Sequence, residues 1–266
     1  MRNFRLSLRF FEAALKSMLE YRLTTLIDIL TMMINFGIGY LSTWVLLSKF
    51  QSIQGWTLYE VFLLFNINMV ASGISGLFFA WPMRAMEQMV QSGDFDMALI
   101  RPMNSLVFTL IGRPNFTSIA SLLLGTGVFA LCFAHLAIQI TLVKIAFLLA
   151  AILGAALIQA AILVTVGTMS FWVVKNTATY SMINSLNNFL DYPITIYDKF
   201  VQAILTFVIP VAFVNFYPAH YFLDKTGNNL FFPALQYGTP VVGILLFFLA
   251  TQFWRIGVNK YESTGS

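Results

Sequence analysis

The chain has 266 residues and a formal net charge of +4, with 59% hydrophobic and only 10% charged residues, and its mean hydropathy is +0.79. Soluble domains carry roughly 25% charged residues, so this composition excludes one and indicates a polytopic membrane protein. In such a chain the position of each Lys and Arg matters more than their sum, and the basic balance is no argument for a nucleic-acid partner.

Residues 1–22 are expected to form an interfacial amphipathic helix. Phe4, Leu8, Phe11, Leu15 and Met18 follow one helical stripe, while Arg2, Arg5, Arg9, Glu12, Lys16 and Glu20 occupy another arc. That pattern suits a helix lying among lipid headgroups, with membrane lipid as its partner.

A six-span transmembrane domain is expected over residues 23–257, followed by a tail over 258–266. The crossings fall near 23–47, 58–81, 114–135, 145–172, 199–217 and 236–255, each about the 20 residues that a hydrocarbon core requires. If both termini are cytoplasmic, the inner side receives Arg2, Arg5, Arg9, Lys16, Arg22, Arg84, Arg101, Arg113, Lys175, Lys199, Arg255 and Lys260. The outer side receives only Lys49, Lys144 and Lys225, which is a strong positive-inside bias. Residues 176–198 read as too polar to span, and are expected to form a helix on the cytoplasmic side.

The loop 82–102 is the long polar interruption in the first two thirds of the chain. Met83, Met86, Met89 and Val90 recur at helical spacing, with Arg84, Glu87, Gln88 and Gln91 on the remaining arc, so a short amphipathic helix is expected. Gly93 is expected to stop it, and Asp94 to cap a second short turn ahead of Pro102. The methionine face suits either the groove of a partner protein or the membrane surface.

The polar residues within spans are few. Asn68, Ser72 and Ser75, with Asn66 beside them, form a stripe on span two that suits a substrate path or interhelical packing. Ala146, Ala150 and Gly154 form a small-residue ridge on span four. Gly73-Ile74-Ser75-Gly76 matches the GxSG pattern of intramembrane serine proteases, but His135 and His220 are expected at the other membrane face. Asp94 and Asp96 lack the further oxygen ligands that a hard cation wants, so no metal is expected. No phosphate-binding Gly-x-x-x-x-Gly-Lys-[Ser/Thr] is present, which places any ATP hydrolysis on another polypeptide.

Gly93-Asp94-Phe95-Asp96 with Leu99 and Arg101-Pro102, together with Phe171-Trp172, Tyr192-Pro193-Ile194-Thr195-Ile196-Tyr197, Ile209-Pro210-Val211-Ala212-Phe213 and Tyr217-Pro218-Ala219, resembles the permease subunits of type-2 ABC exporters, nearest the viologen and multidrug exporter branch. The resemblance implies an all-α half-transporter in the plasma or inner membrane, with both termini cytoplasmic. It implies two copies of an ABC ATPase, a second permease, identical or homologous, and a re-entrant outer segment before the last span. It implies no cofactor on this chain, with ATP and Mg on the partner ATPase. By the same likeness the loop looks like a coupling helix, with Met83, Arg84, Met86, Glu87, Met89, Val90, Gly93, Asp94, Asp96 and Arg101 as the ATPase-coupling residues. Asn66, Asn68, Ser72 and Ser75 are the pathway candidates, and motion of the loop is expected to rock spans two and three. A non-transporting membrane scaffold and an intramembrane serine protease are the alternatives.

Overall fold

The computed structural model describes Lys16, Glu20 and residues 22–111, 114–136, 138, 139, 141–173, 175–225 and 231–262. The amphipathic helix expected over residues 1–22 lies almost wholly outside the described residues, as do Arg113 and residues 263–266 of the tail. In chain order the helices are α1 (Arg22–Phe50), α2 (Leu58–Gln91), α3 (Asp96–Leu99), α4 (Ser105–Ile111), α5 (Ile119–His135), α6 (Leu142–Met169), α7 (Thr177–Asn187), α8 (Lys199–Ala203), α9 (Ala212–Phe222) and α10 (Thr239–Lys260). No strand occurs among the described residues, and the all-α membrane fold expected from the sequence is what forms. Among the described residues five helical stretches are long and apolar enough to cross a membrane: α1, α2, Phe116–His135, α6 and α10.

The core is built on α2 and α6. Backbones approach closely where side chains are small, which is how membrane helices pack when lipid offers no hydrophobic drive. Gly154 of α6 meets Gly243 of α10 so tightly that a Cβ on Gly243 would lie 2.3 Å from the Gly154 carbonyl oxygen. Of the expected small-residue ridge, Gly154 makes this contact, whereas Ala146 is exposed. α1 stands at the periphery, with Thr43 and Leu47 its buried residues.

Two features depart from the sequence reading. First, α2 does not end near residue 81; it runs through Pro82 to Gln91. Proline removes one N–H from the ladder, but residues 83–91 are nearly all strong helix formers and Pro82 is itself buried. The separate amphipathic helix is therefore the last turns of span two.

Second, residues 199–217 are not one span. Lys199–Val208 and Ala212–Phe222 meet at 106°, broken at Ile209-Pro210-Val211, where the proline has no N–H to continue the ladder. This bent pair lies where a re-entrant segment before the last span is expected. α9 ends beside Lys144, whose Nζ donates to the Phe222 carbonyl at 3.4 Å and pairs with Asp224. Lys225 binds the Gly55 carbonyl at 2.8 Å and Glu60 at 3.0 Å. Lys199 lies over the Phe231 ring, so the bent pair enters and leaves toward the Trp56 end of the molecule.

The segment that reads as too polar to span instead runs from one end of the bundle toward the other. α7 starts at the Arg84 end, where the Tyr180 hydroxyl donates to the Met83 carbonyl. The segment reaches Leu190, whose carbonyl accepts from Asn215, one residue from Phe216, which packs on Trp56 at 5.7 Å. This is a correction: residues 176–198 do not lie along one face. Lys199 follows that segment toward the Trp56 end. Tyr180, Asn187 and Asp191 of this segment line a cavity and Asn176 and Thr177 bond to Glu87 of α2, while the exposed Ser181 and Ser185 hydroxyls donate to carbonyls of their own helix.

Candidate functional site

A cavity of about 530 Å³ opens between α1, α2, α6 and α7. Asn68, Ser72 and Ser75 all line it, because positions four and three apart fall on one face of α2. From α6, Gln159 donates to Asn68 Oδ1 at 2.8 Å and accepts from the Ser75 hydroxyl at 3.2 Å. Asn35 comes from α1, Asn187 from the end of α7 and Asp191 from the turns after it. Arg84 and Asp191 are the charged residues of the lining. Asn66 does not belong to this set. It is fully buried, accepts from the Tyr40 hydroxyl at 2.9 Å and donates to the Gly125 carbonyl at 3.0 Å, so it fastens α1, α2 and α5 together.

The loop after α2 forms a second cluster at the Arg84 end. Gly93 takes φ +75°, a conformation that favours glycine, and turns the chain so that Phe95 points back into the protein. Phe95 is fully buried, with its ring 4.9 Å from Phe171, 5.2 Å from Tyr261 and 5.9 Å from Trp254. Trp254 in turn donates its indole N–H to Ser105 Oγ at 3.1 Å. On the opposite face Met97 is 52% and Ile100 78% exposed, leaving an apolar apex flanked by Asp94 and Arg101.

The description "ABC-2 family transporter protein" matches residues 33–265, which is most of the chain and takes in both clusters. The chain belongs to the ABC-2 transporter family. It is a membrane-embedded, multi-pass permease subunit, and ABC-2 permeases pair with an ABC ATPase and a second permease. No curated protein and no solved structure gives a match.

Seen as an ABC-2 permease, the chain distributes its expected coupling residues unevenly. Met83 and Met86 are fully buried among α6 and α10 side chains, so they are not the exposed docking face; a helix continuous with span two must turn its apolar side to its own bundle. Met89 and Val90 are half-buried against the same cluster. Arg84 is exposed on the cavity. Glu87 accepts from the Asn176 backbone N–H and the Thr177 hydroxyl. Asp94 does not cap α3: its carboxylate accepts from the Ser92 hydroxyl at 2.8 Å, and Phe95 occupies the cap position without a side-chain bond. Asp96 opens α3, and Arg101 lies over the Phe108 ring at 5.8 Å.

The GxSG match has a packing explanation in this permease. Gly73 and Gly76 face Ser121 and Ser118, and Ser75 bonds to Gln159. His135 stacks on Tyr59 at 4.3 Å, sixteen residues up α2 from Ser75 and so roughly 24 Å away along the helix axis. Aromatic residues Phe78 and Trp81 point outward, 42% and 57% exposed, and do not rim the cavity. Sequence reasoning missed Gln159 and Asp191. A lone amide inside the apolar run of span four was the available signal for the first; the second was hidden because its segment does not look like a span.

Proposed function

We propose that this permease forms half of the substrate pathway of an ATP-driven exporter and couples to a separate ATPase through the apex of its 92–103 loop. ATP and Mg act on that partner, and two ATPase copies serve two permeases. The protein sits in the plasma or inner membrane with both termini in the cytoplasm, in keeping with the basic residues gathered at the Arg84 end. Asn68, Ser72, Ser75, Gln159 and Asp191 line the path, and Arg84 stands at its cytoplasmic mouth. An intramembrane carboxylate facing a cavity is a functional residue by default, because placing it there is costly otherwise.

The observation that carries the reading is the two-sided loop: one face is buried in the permease, and the other presents Met97 and Ile100 outward between an acid and a base. Such an apolar knob with a polar rim suits a groove on a partner protein. Nucleotide-driven closure of the ATPases would displace the knob and bias the permease between its access states.

The test is co-expression with the ATPase chain. Charged substitution at Met97 and Ile100 is expected to abolish co-purification and ATP-dependent transport while leaving membrane insertion intact. Retained co-purification would remove the apex from the interface, and association without any ATP-linked activity would favour a scaffold.

A further inference from the structure

The second hydrophobic cluster joins Met83 and Met86 of α2, Phe95 and Ala98 of the loop, Leu106 of α4, Ala161 and Val164 of α6, and Ala250 and Trp254 of α10. Among the described residues none of its members comes from α5. The loop therefore follows span two in sequence but is fastened in space to spans four and six. A knob moved by a partner pulls on what it is packed against, since close-packed rings transmit displacement and do not yield to it.

We infer that Phe95 is a positioning residue that carries loop motion into the cytoplasmic ends of α6 and α10, through the Phe171, Trp254 and Tyr261 rings. This rests on the docking reading above and names the route beyond it. Three aromatic contacts on one fully buried ring make the joint stiff, and the Trp254 bond to Ser105 closes it from the α4 side. On the far side Gly257 sits against Phe171 and Thr168, where a Cβ would lie 2.6 Å from both side chains. The joint thus has no slack in either direction, and spans four and six move with the loop, whereas span three supplies no member of the joint among the described residues and meets span two farther along, at Gly73 and Gly76 against Ser121 and Ser118. The expectation that spans two and three form the moving pair is replaced by this one.

The test uses the permease with its ATPase partner in phosphatidylethanolamine and phosphatidylglycerol nanodiscs. Hydrogen exchange is read with and without trapping by ATP, Mg and vanadate. In the wild type, trapping changes exchange in residues 92–103 and in residues 251–260 together. Phe95→Ala is expected to keep the loop change within twofold and to cut the 251–260 change below a fifth. Gly257→Ala, which presses on the rings without emptying the joint, does the same. Phe95→Met refills the space with an adaptable apolar side chain and restores at least half of the response. A 251–260 response of wild-type size in both Phe95→Ala and Gly257→Ala overturns the inference, as does loss of the loop response along with it, which marks Phe95 as a folding residue only. If the wild type shows no loop response and no co-purification, the docking reading itself fails and takes the inference with it.

Discussion

Glu87 accepts the backbone N–H of Asn176 at 2.9 Å and so closes the start of α7 onto the last turns of α2. The Thr177 hydroxyl adds a second donor at 3.1 Å, and Asn176 is itself fully buried. A carboxylate at a helix N-terminus meets unpaired N–H groups and the positive end of the dipole. The two halves of the chain are thereby joined where the cavity meets the Arg84 end.

Removing that acceptor has a measurable cost. Glu87→Ala is expected to lower stability by about 2 kcal/mol, within the range for charged hydrogen bonds, and Glu87→Gln by less because an acceptor oxygen remains. Cys132 is the one cysteine in the sequence and is buried, so a fluorogenic thiol dye reads unfolding through its exposure. Equal melting of wild type and Glu87→Ala would show that the contact contributes nothing.

Aspartate scanning of the loop should separate two faces. Met97→Asp and Ile100→Asp leave melting within about 0.5 kcal/mol of wild type, as surface changes do, yet lose ATPase association. Met86→Asp buries an unpaired charge and prevents stable folding before association can be measured. The reverse order of effects would return the docking face to the end of α2.

The Gly154 and Gly243 contact offers a packing test. Gly243→Ala places a methyl group against backbone that cannot swing aside, and overpacking of this kind costs about 1–3 kcal/mol. Gly37 and Gly127 have nothing within 4 Å of a built Cβ, so alanine there serves as the control. Similar melting of Gly243→Ala and Gly127→Ala would contradict the crossing of α6 and α10.

At the other end Lys225 makes three contacts: the Gly55 carbonyl, the Glu60 carboxylate and, at 4.7 Å, the Trp56 ring. Lys225→Met should therefore destabilise more than Glu60→Gln. A double-mutant cycle should give about 1 kcal/mol of coupling for the partly shielded pair. Additive single effects would mean the ion pair is incidental.

Much of the fold was legible because lipid imposes simple requirements on sequence. Runs such as 142–169 must be apolar and about a bilayer long, and the stripe of Asn68, Ser72 and Ser75 follows from helical period alone. The end of span two misled because the polar run after residue 81 reads as a loop, although Pro82 removes a single hydrogen bond from a helix otherwise rich in strong formers. Residues 176–198 misled for a related reason: a segment lined by a cavity on one side can be polar and irregular, and hydropathy averages over both sides.

The amino-acid order by itself determined that this is a helical, multi-pass membrane chain, since period and apolar length act locally along the backbone. Tertiary structure alone decided that Asn66 is a fastener while Asn68 faces the cavity, and that Met86 is core while Met97 is surface. It also decided that the loop is clasped to spans four and six. Those outcomes depend on which helices become neighbours, and contacts between residues as distant in sequence as Phe95 and Tyr261 leave no periodic trace in either segment.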